Sequence, residues 1–373
     1  MKTSTLFKKP GMLLILGLFL LPTQLKAQDQ IAELLQAGSA DASKLIDAYT
    51  TPLIKGFGAG INQGWYNTAK THGLGRFDLT FTLNGVFVPD KDLTYDASSL
   101  NFSELTLDNP NNKIAQTLLG DANPGPNNPE FVLRTDDPSN PGTPIEVARF
   151  AAPEGLGVPY SAAPTIQLAV GLIKNTEVMV RYVPTISFGD YGDLSMTGFG
   201  IKHDIKQWIP VVNKLPFDMS AFYGFTKLNY SYGFEYAPEA GVPIKTGSNT
   251  DFSNQEMNFK TNASTFGLIV SKKILLLTVY GGVNYQTSKS DLKLKGNYPV
   301  TVIGDDPTNV PQFGQKVVES VTDPVAFDVA GANGVTATLG ARVKLLIFTL
   351  QGSYTFAKYP IATVGLGLNL DWK

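Results

Sequence analysis

The stretch YPIATVGLGLNLDWK, residues 359–373, decides the fold of this chain. Every second position is apolar, and the positions between them are small or polar. The apolar face holds Ala362, Val364, Leu366, Leu368, Leu370 and Trp372, and the other face holds Thr363, Gly365, Gly367, Asn369 and Asp371. An alternation of this kind predicts a β-strand with two unlike faces. The strand therefore needs apolar surroundings on one side and polar surroundings on the other.

The same alternation recurs along the chain, and about ten such strands can be recognised. Residues 76–88 alternate strictly, and residues 164–172 lead through Lys174-Asn175 into another alternating run, which is a hairpin signal. A second hairpin is predicted with its turn at residues 271–273, and a final meander joins its strands near residues 344–345. We expect an even number of strands, about ten to fourteen.

Residues 1–27 have the pattern of a secretory signal peptide. Lys2, Lys8 and Lys9 give a positive start, residues 12–21 are apolar, and Ala27 precedes the expected cleavage site. The apolar run is too short to span a bilayer. We therefore expect an exported protein that begins at residue 28.

Composition leaves two exported architectures open, an outer-membrane β-barrel and a secreted β-sandwich. The chain of 373 residues has no cysteine, 36 glycines, 15 tyrosines and 22 phenylalanines, and only 17% of its residues are charged. The formal net charge of −2 gives no reason to expect nucleic acid as a partner. The second face of the strands is mostly Thr, Ser, Gln, Asn and Gly, whereas a sandwich usually shows Lys and Glu to water. This favours an all-β, transmembrane, antiparallel up-and-down β-barrel.

The lengths of the connections predict the topology of this barrel. Long Pro-, Asn- and Gly-rich segments lie at about 90–160, 236–255 and 291–334, and they alternate with short turns. Bacterial barrels have short periplasmic turns and longer external loops. We expect a barrel over residues 75–373 with these three segments as external loops. Residues 95–107 or 292–303 could add strands to the barrel.

Two kinds of stretch carry a resemblance to known proteins. The ending GLGLNLDW is similar to the terminal assembly signal of outer-membrane barrels; here Leu366, Leu368, Leu370 and Trp372 would form it. That resemblance implies outer-membrane lipid and the barrel insertion machinery as partners, and the cell outer membrane as location. PTIQLAVGLIKNTEVMVRYVP and GIKHDIKQWIP resemble an uncharacterised family of exported barrel proteins. More distantly, the chain resembles the long-chain fatty-acid transporters, whose N-terminal hatch is folded inside the barrel.

Residues 28–74 show helical spacing and a glycine-rich stretch instead of the alternation of the strands, and this pattern predicts a plug. A first short helix would carry Leu34 and Leu35, and a second would begin at Asp41 and end before Pro52. The second helix would present Leu45, Ile46 and Tyr49 on one face, followed by a glycine-rich stretch. These five apolar residues are the plug candidates. The alternatives are a periplasmic helix that covers the barrel end, or residues 55–66 as an additional strand.

Catalytic and metal-binding patterns are poor, so we expect no enzyme, cofactor or metal site. The chain has two histidines, and His203-Asp204 is the only adjacent pair of the kind that hydrolysis would need. Glu177 and Arg181 share the inward face of one strand. They are candidates for a pore constriction, or for charges that pair across strands and hold the barrel or plug in place.

Two functions remain open for such a barrel. One is passive uptake of a hydrophobic or small solute through a plugged lumen. The apolar stripe of the plug suggests a hydrophobic small molecule, since part of that stripe would stay free against a polar inner wall. The alternative is a non-transporting structural or surface-interaction barrel whose external loops bind a partner.

Overall fold

The computed structural model describes residues 34–35, 39–189, 192–309 and 311–370. The expected signal peptide and Trp372 lie outside the described residues. Within them the chain forms one long helix, α1 (Ser39–Ile61), and eighteen strands. No helix in this part of the chain is both long and apolar enough to cross a membrane.

Ten of the strands belong to the barrel wall. They are β1 (Phe77–Phe87), β7 (Tyr160–Leu172), β8 (Thr176–Ser187), β9 (Asp193–Asp204), β10 (Asp218–Phe234), β11 (Gln255–Ile274), β12 (Leu277–Lys295), β16 (Gly334–Leu345), β17 (Phe348–Phe356) and β18 (Ile361–Asn369). Each wall strand pairs antiparallel with its neighbours, and β1 pairs with β18 to close the ring. The prediction of an antiparallel up-and-down barrel with an even strand number is confirmed, and the number among the described residues is ten.

The two faces of the wall separate as the alternation predicted. In β18, Leu366 is 62% exposed on the outer face, while Thr363 is buried inside. Outward side chains include many large apolar ones on every wall strand, and inward ones are mostly Thr, Ser, Gln and Asn. An apolar outer band around a polar interior is the pattern of a membrane-spanning barrel.

The short turns gather at one end of the barrel, which we call the turn end. At Lys174-Asn175 both residues have positive φ, as the predicted tight turn requires. The other two predicted turns were wrong by two or three residues. β11 continues to Ile274 and turns at 275–276, and β16 continues to Leu345 and turns at 346–347. Leu275 and Leu346 stand 88% and 90% exposed there, so the apolar outer surface reaches the turns themselves.

The long connections meet at the opposite end, which we call the loop end, and fold into a cap. They hold eight short strands: β2 (Thr94–Asp96), β3 (Leu105–Leu107), β4 (Ile114–Gln116), β5 (Glu130–Asp136), β6 (Pro144–Ala151), β13 (Asn297–Ile303), β14 (Lys316–Thr322) and β15 (Val325–Ala330). β15 pairs with the outer part of β12. Residues 95–107 add no strand to the wall, and of residues 292–303 only the end of β12 continues one. The sequence pattern missed this cap because each of its strands is too short to show a clear period.

Helix α1 runs through Pro52, where the sequence predicted an end. A proline inside a helix removes one hydrogen bond and usually breaks or kinks it. Here Tyr49 and Ile54, before and after Pro52, are both buried against the rest of the protein. Tertiary packing on both sides of the proline outweighs the local preference.

Candidate functional site: the filled lumen

The lumen is occupied by α1 and the residues that follow it, up to Arg76; we call residues 39–76 the lumen segment. At the loop end, the carbonyl of Tyr49 accepts a hydrogen bond of 2.8 Å from the Leu118 N–H in the cap. Midway, Gln63 Nε2 donates to Gln286 Oε1 at 2.9 Å. Towards the turn end, the N–H of Ala69 donates to the Ser271 hydroxyl at 2.9 Å. The segment therefore passes through the barrel from the loop end to the turn end, where β1 begins.

Glycines let a helix fit inside so narrow a barrel. A Cβ added at Gly58 would lie 2.5 Å from the Ser288 hydroxyl, and one added at Gly60 would lie 2.7 Å from the Cβ of Ala163. Both positions face strands of the wall. The glycine-rich stretch that the sequence placed after the helix is thus partly inside it, and its role is close approach of helix to wall.

Wall glycines make room for Trp65, the largest aromatic side chain of the segment. A Cβ at Gly224 would lie 2.3 Å from the Trp65 ring, and a Cβ at Gly200 would lie 2.7 Å from it. Trp65 is 2% exposed. The guanidinium of Arg181 stands over this ring, 3.7 Å from its centroid. Ring and cation fill the middle of the lumen together.

Arg181 binds the end of helix α1. Its two terminal nitrogens donate to the carbonyl oxygens of Ile61 and Gln63, each at 2.6 Å. Its Nε donates to Gln167 Oε1 at 3.1 Å. A helix ends with unsatisfied carbonyls and a partial negative charge, which a cation at this position stabilises. Arg181 thus fastens the lumen segment to strand β8.

Glu177 lies on the same strand as Arg181, four residues nearer the turn end, and binds the segment at His72. One of its oxygens accepts from the His72 N–H at 3.1 Å and lies 2.6 Å from His72 Nδ1. The other oxygen lies 2.9 Å from Nζ of Lys202 on β9. All three side chains are buried. A buried carboxylate of this kind is stable only because a cation and hydrogen-bond donors surround it.

A second buried ion pair continues this network on the other side of His72. Arg342 Nη2 lies 3.3 Å from Asp78 Oδ2, and its Nη1 donates to Asn67 Oδ1 of the lumen segment at 2.9 Å. Asn369 Nδ2 donates to Asp78 at 2.8 Å and lies 2.8 Å from His72 Nε2. The turn end of the lumen is therefore closed by charges from β1, β8, β9 and β16 around the segment.

The structure places the two constriction candidates separately. Glu177 pairs with Lys202 and His72, whereas Arg181 contacts backbone carbonyls and Trp65; both contact the lumen segment. Sequence reasoning did not single out Lys202, Arg342 or Asp78. The signal was present, since each is a charged residue at an inward position, where most side chains are uncharged.

The plug candidates are buried, but one expectation about them was wrong. Leu34, Leu35, Leu45, Ile46 and Tyr49 are each 0–1% exposed, so no part of this stripe lines an open apolar pocket. The four aliphatic ones pack with cap residues such as Phe131 and with Leu292 and Val325 at the loop end. The physical reason is that the inner wall is polar, so the apolar side chains find apolar partners only in the cap.

Two cavities adjoin the lumen segment. One of about 360 Å³ lies at the loop end between α1 and the cap, and Lys44, Asp47 and Tyr95 are among its lining residues. The other, about 10 Å³, lies between Trp65, His72 and Glu177, and is just large enough for a water molecule. In the described part of the chain, no three His, Cys, Asp or Glu side chains gather as metal ligands.

The terminal assembly signal occupies the outer face of the last wall strand. Leu366 and Leu368 point outward and are 62% and 39% exposed, while Leu370 follows the strand and is partly buried. Trp372 lies outside the described residues. The structure gives no contact with an insertion partner, so this role stays a prediction.

A closed antiparallel barrel with an apolar outer face and a filled polar interior defines the class of outer-membrane β-barrels. Within that class, the chain belongs to the family of unknown function DUF6588, whose model matches residues 5–370. Among curated proteins, none matches the chain.

Solved structures similar to the chain are also barrels. The translocator domain of the autotransporter NalP from Neisseria meningitidis is 10% identical, with 80% of this chain and 89% of that one covered and a TM-score of 0.29. Ail, the attachment invasion locus protein of Yersinia pestis, is 9% identical, with 80% and 98% covered and a TM-score of 0.23. A mutant porin of Rh. blastica is 9% identical, with 79% and 98% covered and a TM-score of 0.13.

Proposed function

We propose that this protein is an outer-membrane barrel that acts through its external cap, as a structural or surface-interaction barrel, and that its own N-terminal segment keeps the lumen closed. The observation that carries this proposal is the occupation of the lumen from one end to the other. Buried hydrogen bonds tie the segment to strands all round the wall. A pore for passive flow would instead leave a continuous aqueous path.

The cap supports the same proposal. It is a folded unit with an apolar core of its own, to which the first half of α1 and residues such as Phe131 and Phe150 contribute. A folded surface at the loop end can present a fixed shape to a partner, whereas a loose loop would lose entropy on binding. Binding by the cap is therefore the activity that this architecture serves best.

Planar-bilayer conductance of the purified full chain tests the closed lumen. We expect no stable current, because the segment blocks the path at both the Arg181 and Glu177 levels. Reproducible open channels in the wild-type protein would overturn the proposal.

Passive uptake of a small solute is the second candidate, and the cavity of about 360 Å³ beside α1 favours it. Uptake would then require the segment to move. The likeness to fatty-acid transporters stays a prediction. A hydrophobic solute was suggested by an apolar stripe that would stay partly free, but the residues of this stripe are buried.

A disulfide can decide between the two candidates, because the chain has no cysteine of its own. The hydroxyls of Thr68 on the segment and Ser271 on β11 lie 3.2 Å apart. Thr68→Cys/Ser271→Cys should form a disulfide under oxidising conditions and lock the segment in place. Solute uptake into liposomes that stops on oxidation and returns on reduction would favour transport. Binding by the cap that is the same in the oxidised and the reduced protein would favour the surface role. Each single cysteine variant is the control.

A further inference from the structure

Three wall strands continue well beyond the membrane-facing band at the loop end. The outward aromatic residues Tyr223, Phe266 and Tyr285 stand side by side on β10, β11 and β12, where the register pairs Tyr223 with Phe266 and Phe266 with Tyr285. They are 42%, 55% and 42% exposed, and the rings of Phe266 and Tyr285 lie 5.7 Å apart. Aromatic rings in such a row mark the membrane–water interface of barrels.

Beyond this row the outward face of the same strands changes from apolar to basic. Four residues further along each strand, the register aligns Lys227, Asn262 and Lys289. Lys260 follows at the next outward position of β11, opposite Asp291 of β12, and Lys293 and Lys295 follow Asp291 along β12. All five lysines are exposed. Since a tilted strand rises by about 10 Å over four residues, the first of them stand just above the interface.

The charge balance of this surface, which we call the lysine face, is positive. Its carboxylates are Glu256 and Asp291 on the same strands and Asp328 on β15, so five lysines face three acids in a chain whose formal net charge is −2. Asp328 is paired with Lys289 at 2.6 Å. The hydrogen bond with Asp328 and partial burial raise the pKa of Asp291, whereas hydrogen bonds to Asp291 and Lys289 lower the pKa of Asp328.

Among the described residues, Lys289 is the one lysine of this face in an ion pair. Lys227, Lys260, Lys293 and Lys295 take part in none there, although the register sets Lys260 opposite Asp291 and Lys295 opposite Glu256. They are long, flexible side chains that can extend along apolar surface and place the ammonium at the level of lipid headgroups. A row of ammonium groups directly above a lipid-facing aromatic row is complementary to anionic phosphate.

We propose that the lysine face binds the phosphorylated headgroups of membrane lipids in the leaflet at the loop end. The site is continuous with the lipid-facing band below it, so a lipid whose chains lie along Phe266 and Tyr285 brings its phosphate to the lysines nearest this row, Lys227, Lys260 and Lys289. The inference rests on the proposed outer-membrane barrel and adds the chemistry of its lipid partner.

The test measures lipid selectivity of the purified full chain in detergent micelles that hold equal amounts of phosphatidic acid and phosphatidylcholine. Native mass spectrometry gives the ratio of the two lipids retained on the protein. We expect the wild type to prefer phosphatidic acid and Lys227→Gln/Lys260→Gln to lose roughly fivefold of that preference per lysine. The matched control, Lys91→Gln/Lys316→Gln, removes two exposed lysines from the cap and should keep the preference.

The remaining outcomes separate the sources of failure. Equal preference in wild type and Lys227→Gln/Lys260→Gln would overturn the lipid site, as would an equal loss in the control. Sodium phosphate that displaces the lipid more strongly than sodium chloride of the same ionic strength would assign the site to a free anion and overturn it too. A wild type without heat-modifiable gel mobility would overturn the membrane barrel itself, which is a different failure from a folded barrel without lipid preference.

Discussion

The guanidinium of Arg181 lies 3.7 Å from the ring centroid of Trp65, and the same guanidinium binds the carbonyls at the end of α1. One wall residue thus contacts both the end of the helix and the ring of Trp65. Lys cannot replace it, because an ammonium lacks the planar fork that reaches two carbonyls at once.

Arg181→Gln should lower the free energy of unfolding by about 3 kcal/mol, because two buried carbonyls lose a charged donor. Urea unfolding followed by tryptophan fluorescence measures it. Arg149→Gln is the control, since Arg149 makes ion pairs on the surface of the cap, where water screens them, and its loss should cost much less. Equal losses would show that Arg181 does not fasten the segment.

Gly60→Val should destabilise the protein by about 2 kcal/mol, because the new side chain meets Ala163 and Val86 across a gap too small for it. Gly85→Val is the matched control. A Cβ there lies 3.8 Å from its nearest neighbour, the carbonyl of Ala362, and points to the outer face. Heat-modifiable gel mobility as a function of temperature compares the two. A stable Gly60→Val barrel would mean that α1 does not pack this closely against the wall.

Leu366→Arg should cost about 2–4 kcal/mol, because Leu366 faces outward between Phe81 and Leu350 near the middle of the membrane-facing band. Asn262→Arg makes a comparable change on the outer face of β11, but above the aromatic row, and should be tolerated. The yield of folded barrel in lipid vesicles measures both. Similar yields for the two variants would contradict the assigned membrane level.

Asp41 makes the cap sensitive to acid. Burial raises the pKa of its carboxyl, but hydrogen bonds from the N–H groups of Glu104, Ser103 and Leu105 outweigh burial and lower the pKa below the usual value of 3.8. A lowered pKa stabilises the folded state above the usual value, and this contribution is lost as the pH falls through the lower, folded value. Asp41→Asn should therefore be less stable by about 2 kcal/mol at neutral pH and equal to the wild type in strong acid. Urea unfolding between pH 7 and pH 2, at about one-unit steps, would show the two curves converge; parallel curves would remove Asp41 as the cause.

An epitope inserted at Gly142 should be accessible to antibody on intact cells, and one inserted at Leu346 only after permeabilisation. Gly142 lies in the open turn between β5 and β6 at the loop end, and Leu346 lies in the turn between β16 and β17 at the turn end. The reverse accessibility would show that the barrel has the opposite orientation in the membrane.

Local pattern was sufficient for the wall because each wall strand meets two different solvents. Lipid selects apolar residues at one parity and the lumen selects polar ones at the other, so Val364 and Thr363 reveal their faces by sequence alone. The turns were placed less well. At residues 275–276 and 346–347, Leu-Leu and Leu-Ile rather than Asn-Gly pairs form the turn, and backbone pairing in the ladder extends further than turn preference indicates.

The sequence by itself determined that the chain is a barrel, which residues face outward, and that residues 28–74 differ from the wall. Tertiary structure alone decided that α1 continues through Pro52, that the apolar stripe of Leu45 and Ile46 belongs to the cap, and that Glu177 pairs with Lys202 rather than with Arg181. The physical reason is the separation in sequence between the residues that interact. The surrounding lipid acts on every second residue of a strand, so the outward face is visible as a periodic pattern. A buried charge, or a proline inside a helix, is instead stabilised by a few partners far away in sequence.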